Sequence, residues 1–139
     1  MQLYEAYYYG ASAVLLIVAI LSDEKLKHML RVAHQLDMDC LVEVHTQAEL
    51  DRALKADAQI IGINNRDLRS FQVDMSVSQR LVPQVPQKRV TVVESGIREH
   101  DDVLRCRDLG VQAVLIGETF MRADDIAQQI RNLMNGEAA

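Results

Sequence analysis

Acidic and amide side chains stand at the ends of apolar segments in this chain. Glu43 interrupts an apolar run between Val42 and Val44, Glu94 ends a second run, and Asn64 directly follows a third. A carboxyl group can take or give a proton, and an amide can orient it or donate to a substrate oxygen. The pattern predicts an acid/base site, although for Glu94 alone a structural role is equally favoured.

Glycines end two of the later apolar runs, as Ser95-Gly96 and Gly117-Glu118. Glycine lets backbone amides approach a ligand closely, and the N-terminus of a helix after Gly117 would favour a negative charge. Simple turn geometry is the alternative. Because the two glycines would lie at neighbouring strand ends, where barrels often bind phosphate, phosphate binding is favoured.

Each polar candidate also has a structural interpretation. Glu43 could pair with an arginine, but an unpaired carboxylate between a strand and its helices would be costly, so the barrel mouth is favoured. Asn64 and Asn65 could be turn residues; Asn64 is favoured as functional because Glu43 lies one strand away. For Arg66, an ion pair with Asp67 or Glu43 is favoured over binding of an anion.

The elements that must position these residues alternate regularly along the chain. Continuous apolar runs predict strands covered on both faces, and amphipathic stretches predict helices between them. Ser22 and Thr46 are predicted helix caps. The predicted strands are 13–19, 41–45, 60–63, 90–93 and 113–116, and the predicted helices are 2–9, 23–36, 47–55, 76–81, 100–109 and 124–134.

Five βα units preceded by a helix predict an α/β fold, a partial (β/α)8 TIM barrel forming a single domain over residues 1–139. A doubly wound sheet is the alternative. It is disfavoured because the chain begins with a helix and contains neither GxGxxG nor GxxxxGK[ST]. A closed barrel needs eight strands, so the pattern predicts a barrel without its first three strands.

Composition excludes several kinds of partner. The net charge of -5 and the pI near 5.3 argue against nucleic acid. The apolar run at residues 11–21 is too short to span a membrane. Cys40 and Cys106 have no metal or disulfide spacing, so both are predicted to be buried thiols in a reducing cytoplasm. No metal site is predicted, because the histidines have no ligand-like spacing.

These motifs resemble the carboxy-terminal part of the indole-3-glycerol-phosphate synthase family. The resemblance covers nearly the whole chain and is carried by LVEVH at 41–45, IGINNRDL at 61–68, ESGI at 94–97 and LIGE at 115–118. It implies a barrel lyase of tryptophan biosynthesis that needs neither cofactor nor metal. The substrate would be 1-(2-carboxyphenylamino)-1-deoxy-D-ribulose 5-phosphate, and the products indole-3-glycerol phosphate, carbon dioxide and water.

The resemblance also implies roles for individual residues. Glu43 would be the general base, with Asn64 and Ser95 as supporting polar groups. Backbone amides at Gly96, Gly117 and Glu118 would form the phosphate cradle, while Arg66 and Glu94 match substrate-binding positions at the same rim.

One departure from the family pattern bears on activity. The strand-one segment with its glutamate, lysine and serine-proline run has no counterpart, nor has the strand-three lysine that acts as general acid. Lys25, Lys27, Lys55 and Lys88 are predicted on helices or on loops that enter strands. We therefore predict that this chain alone is inactive or nearly so.

Two alternative functions remain open from the sequence. One is a non-catalytic, phosphate-binding partial barrel that assembles with another chain. The other is a different phosphate-binding barrel of the same pathway, such as phosphoribosylanthranilate isomerase or the tryptophan synthase α-subunit, which is disfavoured because Glu43, Asn64 and Ser95 together fit the synthase best. Exposed edges of the incomplete sheet favour either a homodimer or a complementing amino-terminal fragment as the partner.

Overall fold

The computed structural model describes residues 1–136, which form alternating strands and helices around one parallel sheet. The strands are β1 (Ala13–Ile17), β2 (Asp39–Val44), β3 (Ile60–Asn64), β4 (Val90–Glu94) and β5 (Ala113–Leu115). The helices are α1 (Gln2–Tyr8), α2 (Asp23–Gln35), α3 (Gln47–Lys55), α4 (Ser76–Leu81), α5 (His100–Asp108), α6 (Glu118–Met121) and α7 (Ile126–Asn135). Five βα units preceded by a helix are confirmed; the predicted domain's residues 137–139 lie outside the described part.

Two predicted elements differ from the observed ones. The first strand ends at Ile17, and its predicted last residues, 18 and 19, belong instead to a short 3-10 helix (Val18–Ile20). The last predicted helix, 124–134, corresponds to α7, which begins at Ile126, and a separate one-turn helix, α6, was not among the predicted elements.

The helix ends follow the predicted local chemistry. The Ser22 hydroxyl accepts a hydrogen bond from the Lys25 amide at 3.3 Å, and Thr46 forms a capping box with Glu49. Asp37 and Asp57 take the left-handed conformation just after α2 and α3, with φ of 52° and 66°. Aspartate tolerates this conformation less well than glycine does.

The five strands lie side by side in chain order, so every crossover joins neighbouring strands. Right-handed crossovers of this kind place all the helices on one face of the sheet. Alternate strand residues such as Val42, Ile61 and Val93 point into that layer and are fully buried, together with Leu26 of α2 and Leu50 of α3. The core therefore lies between the sheet and its helices.

The opposite face of the sheet is uncovered. Leu15, Val90 and Leu115 point to this face and are 48%, 43% and 52% exposed. In a closed (β/α)8 barrel this face would be the packed interior, which eight strands are needed to enclose. The described residues form five parallel βα units of such a barrel.

Neither cysteine forms a disulfide. Cys106 is buried as predicted, whereas Cys40 is only half-buried. Burial raises the pKa of both thiols, that of Cys106 to about 11. Within residues 1–136, no helix has the length and apolar character needed to cross a bilayer.

Candidate active site

Two carboxyl groups meet on the uncovered face, close to the carboxyl ends of the strands. Glu43 of β2 lies opposite Gly62 of β3, and Asn64 of β3 lies opposite Glu94 of β4. The parallel register puts all four residues on the same face of the sheet. Glu43 is only 6% exposed and Glu94 only 4%, so water reaches neither carboxyl freely.

The two carboxyl groups share a hydrogen bond, which requires that one of them hold a proton. Burial is the largest cause that raises the pKa of Glu94, and the negative charge and hydrogen bond of Glu43 raise it further, to about 8. At neutral pH Glu94 therefore keeps its proton, which it can donate in the hydrogen bond to Glu43. Glu94 Oε1 has no hydrogen-bond partner among the described residues.

The consecutive asparagines have different surroundings. Asn64 is buried on the face that carries the carboxyl groups, and its Oδ1 accepts from the Arg66 amide at 2.9 Å. Asn65 points away from that face and is fully buried: its Nδ2 donates to the Ser95 carbonyl at 3.1 Å, and its Oδ1 accepts from the Ser78 amide at 3.0 Å. Side-chain alternation along a strand could have shown that only one asparagine faces the site.

Asn65 connects the loops after β3 and β4, which gives a prediction about stability. Asn65→Ala leaves the Ser78 amide and the Ser95 carbonyl without their partner, and each buried unsatisfied group costs about 1–3 kcal/mol. We expect the free energy of unfolding to fall by about 2–4 kcal/mol in urea denaturation. The exposed Asn135→Ala should change it by less than about 0.5 kcal/mol. Equal effects of the two substitutions would contradict the structural role of Asn65.

A cavity of about 970 Å³ opens beside the carboxyl pair. Six of the eight predicted site residues line it, namely Arg66, Glu94, Ser95, Gly96, Gly117 and Glu118. Glu43 and Asn64 do not line the cavity; both lie next to Glu94, which does. The sequence did not indicate that Arg98, Thr119 and Arg122 also line it.

The turn after β4 requires an unusual backbone. Ser95 and Gly96 have φ of 64° and 84°, and serine rarely adopts this left-handed conformation. A Cβ added to Gly96 would lie 2.6 Å from Met75 Sδ and 2.8 Å from Val73 Cγ1, so this position also has no room for a side chain. Both residues line the cavity, and Gly96, which has no side chain, does so through its backbone.

Two arginines bind one carboxylate across the cavity. Arg66 Nη2 lies 2.5 Å from Glu118 Oε2, and Arg122 Nε lies 3.0 Å from Glu118 Oε1. Both hydrogen bonds hold the pKa of Glu118 below its usual range, and the bond from Arg122 has the larger effect. The prediction that Arg66 forms an ion pair was right, but its predicted partners, Asp67 and Glu43, were wrong. The helix after Gly117 has only four residues, too few to supply the expected dipole.

The lysines that the family pattern requires are not found at the cavity. All four lysines lie on α2, on α3 or in the loop before β4, and none of them lines the cavity. Among the residues that the structure describes, no group of three or more histidine, cysteine, aspartate or glutamate side chains could hold a metal ion.

The fold and the site define a protein of the (β/α)8-barrel class, with buried carboxyl groups and a cavity at the carboxyl ends of its strands. A sequence model of the family described as indole-3-glycerol phosphate synthase matches residues 1–133. The chain belongs to the indole-3-glycerol phosphate synthase family.

Relatives with that name are similar over almost all of this chain. The indole-3-glycerol phosphate synthase of Acetivibrio thermocellus is 56% identical over 130 residues, which are 94% of this chain and 50% of the relative. One from Dehalococcoides mccartyi is 50% identical over 133 residues, which are 96% of this chain and 51% of the relative. The chain therefore spans about half the length of the curated relatives it matches.

Solved structures support the fold independently. The 3-hexulose-6-phosphate synthase of Salmonella typhimurium superimposes with a TM-score of 0.78 at 16% identity, covering 95% of this chain and 64% of the other. A chain of the Pyrococcus furiosus tryptophan synthase complex superimposes with a TM-score of 0.73 at 11% identity. The match covers 96% of this chain and 59% of the other. At such low identity these likenesses bear on the fold alone.

Proposed function

We propose that this chain supplies half of an indole-3-glycerol phosphate synthase active site, namely the general base and the phosphate cradle. The observation that carries this proposal is the buried Glu43–Glu94 pair beside a cavity walled by two glycine turns. Family membership supports the choice of reaction. The substrate is then 1-(2-carboxyphenylamino)-1-deoxy-D-ribulose 5-phosphate.

In the proposed reaction, a carbon–carbon bond forms between the ring carbon that bears the carboxylate and the ketone carbon. The ketone oxygen takes up a proton, loss of carbon dioxide restores the aromatic ring, and loss of water completes the indole. Glu43 is proposed to accept a proton during these steps, because Glu94 holds the proton of the pair at neutral pH. Asn64 and Ser95 are proposed to orient polar groups of the substrate near it.

The phosphate is proposed to bind at the turns that carry Gly96 and Gly117. Backbone amides at these turns and at Glu118 can donate to phosphate oxygens. Arg66 and Arg122 line the same cavity and can neutralise the phosphate charge once they are released from the Glu118 carboxylate. Glu94 lines the same cavity and is proposed to contact the substrate there.

The proposed site lacks a lysine to act as general acid, so we infer that this chain alone does not turn the substrate over. The free edges of the sheet, at β1 and β5, can pair with the remaining strands of a barrel, which would enclose the face where Leu15, Val90 and Leu115 are exposed. A complementing amino-terminal fragment that brings lysines to this face would complete the site; a homodimer would cover the face without them. Free thiols at Cys40 and Cys106 agree with a cytoplasmic location.

Binding of inorganic phosphate to this chain tests the cradle. The Glu118 carboxylate occupies the two arginines that a phosphate would use. Glu118→Gln removes its negative charge, and we expect the affinity for phosphate to rise several-fold, a modest effect because these ion pairs are exposed to solvent. Isothermal titration of both proteins at low salt measures it. Glu24→Gln, an exposed change on α2, is the control. No detectable binding by either protein, or weaker binding by Glu118→Gln, would contradict the proposed cradle.

A further inference from the structure

Gly62 lies directly beneath the Glu94 carboxyl group. Gly62 on β3 is paired with Glu43 on one side and with Val92 on the other. Glu94 follows Val92 by two residues on β4. Its side chain covers the position that the Cβ of residue 62 would occupy. A Cβ added to Gly62 would overlap Glu94 Oε1 and would lie 3.2 Å from Glu94 Cδ.

The backbone conformation does not explain this glycine. Gly62 does not have a positive φ. The glycines that do are Gly10, Gly96, Gly110 and Gly136. Glycine in the interior of a strand weakens the strand, and it often marks a place where another group approaches the backbone closely. Here the approaching group is the carboxyl of Glu94, with Leu41 Cδ1 the next neighbour at 3.1 Å from the added Cβ.

The position of the Glu94 carboxyl decides the chemistry of the pair. It is buried, it hydrogen bonds to Glu43, and its Oε1 has no partner within residues 1–136. Removal from water and the charge of Glu43 keep the proton on Glu94 at neutral pH. If the carboxyl turned into the open cavity, water would solvate its ionised form and the proton would be lost.

We propose that Gly62 is a positioning residue: the space above its Cα is the seat that holds the Glu94 carboxyl group against Glu43. The side chain of Glu94 fits only because residue 62 has none. This seat does not depend on which reaction the carboxyl pair performs, so it goes beyond the proposed synthase function.

The first test is a titration of the full chain labelled with ¹³C at the glutamate carboxyl carbons, followed by NMR. In the wild type, one carboxyl should titrate with a midpoint of about 8. In Gly62→Ala we expect this midpoint to fall by more than about two pH units, towards the ordinary value of about 4.3. Gly117→Ala, where an added Cβ meets nothing within 4 Å, is the matched control and should keep the high midpoint. An unchanged midpoint in Gly62→Ala would overturn the proposal.

The second test keeps the proposal open to refutation if Gly62→Ala fails to fold. Glu94→Ala removes the group that the new methyl would overlap, so Gly62→Ala in that background should leave the urea midpoint unchanged. In the wild-type background the same change should lower the midpoint or prevent folding. An equal loss in both backgrounds would show that Gly62 serves the strand itself and would overturn the proposal. Neither readout involves turnover, so failure of the proposed reaction would be recognised separately.

Discussion

Replacing Glu43 with glutamine should lower kcat by about 10²–10⁴-fold in a protein that has the complete barrel. That protein is a chimera: the part of the Acetivibrio thermocellus relative outside its match, joined to this chain. Glutamine has nearly the same shape as glutamate but cannot accept a proton, so the base is lost while the fold is kept. The rate of indole fluorescence increase under saturating substrate measures kcat.

The pattern of kinetic changes distinguishes a lost base from a damaged site. We expect KM to change far less than kcat in Glu43→Gln, because Glu43 does not line the cavity in which the phosphate is proposed to bind. Glu5→Gln, on the exposed surface of α1, should leave both constants unchanged. A kcat within tenfold of the unsubstituted chimera would rule out Glu43 as the general base.

Replacing Glu94 with glutamine should remove a pH dependence of stability from this chain. The pKa of Glu94 is raised to about 8 in the folded state, whereas the unfolded chain releases the same proton at about pH 4.3. At pH values between these two pKa values, the folded state therefore holds one proton more than the unfolded chain does. The stability from this proton is complete below about pH 4 and is lost as the pH rises to about 8.

The size of the effect follows from the same linkage. Within this window the free energy of unfolding of the wild type should fall by up to about 1.4 kcal/mol per pH unit. Glutamine stays neutral and can still donate to Glu43, so Glu94→Gln should remove this slope and be about 2–4 kcal/mol more stable than the wild type at pH 8. Urea denaturation at pH 5, 6, 7 and 8 measures it.

The control for this series is Glu24→Gln on α2, where the side chain is exposed. Its stability should follow the wild-type curve at every pH. Parallel curves for Glu94→Gln and the wild type would show that Glu94 ionises at ordinary pH, and the proton-sharing pair would have to be abandoned.

The sequence predicted the strands and the polar residues that lie together at their ends, because both depend on local patterns. Buried parallel strands are continuous apolar runs, and Glu43 stands out inside one of them. The caps at Ser22 and Thr46 were likewise predicted from residues within one helical turn. Each of these features depends on neighbours that are close in the chain.

The rest of the site depends on contacts between distant residues. Arg66 and Glu118 are 52 positions apart, and no local pattern indicates that they form an ion pair across the cavity. Nothing in the sequence around Gly62 distinguishes it from an ordinary strand residue, because the Glu94 side chain that covers it comes from the next strand. Which of two carboxyl groups holds the shared proton also depends on burial, and burial is set by the packed sheet.

The alternative of a non-catalytic partial barrel makes a different prediction about the carboxyl pair. A module that only bound phosphate would need the turns at Gly96 and Gly117 but would have no use for a buried, proton-sharing pair beside them. Such pairs are costly to bury and cluster at sites that move protons. The pair therefore favours a lyase half-site over a module that only binds phosphate.

Turnover of 1-(2-carboxyphenylamino)-1-deoxy-D-ribulose 5-phosphate, followed by indole fluorescence, is the most direct measurement for this protein. It should be made on this chain alone and on the chimera. We predict no turnover by the chain alone, because its cavity has no lysine, and turnover by the chimera, because its carboxyl pair and phosphate cradle come from this chain. Turnover by the chain alone would contradict the need for a complementing part, and a folded but inactive chimera would contradict the assignment of a synthase half-site.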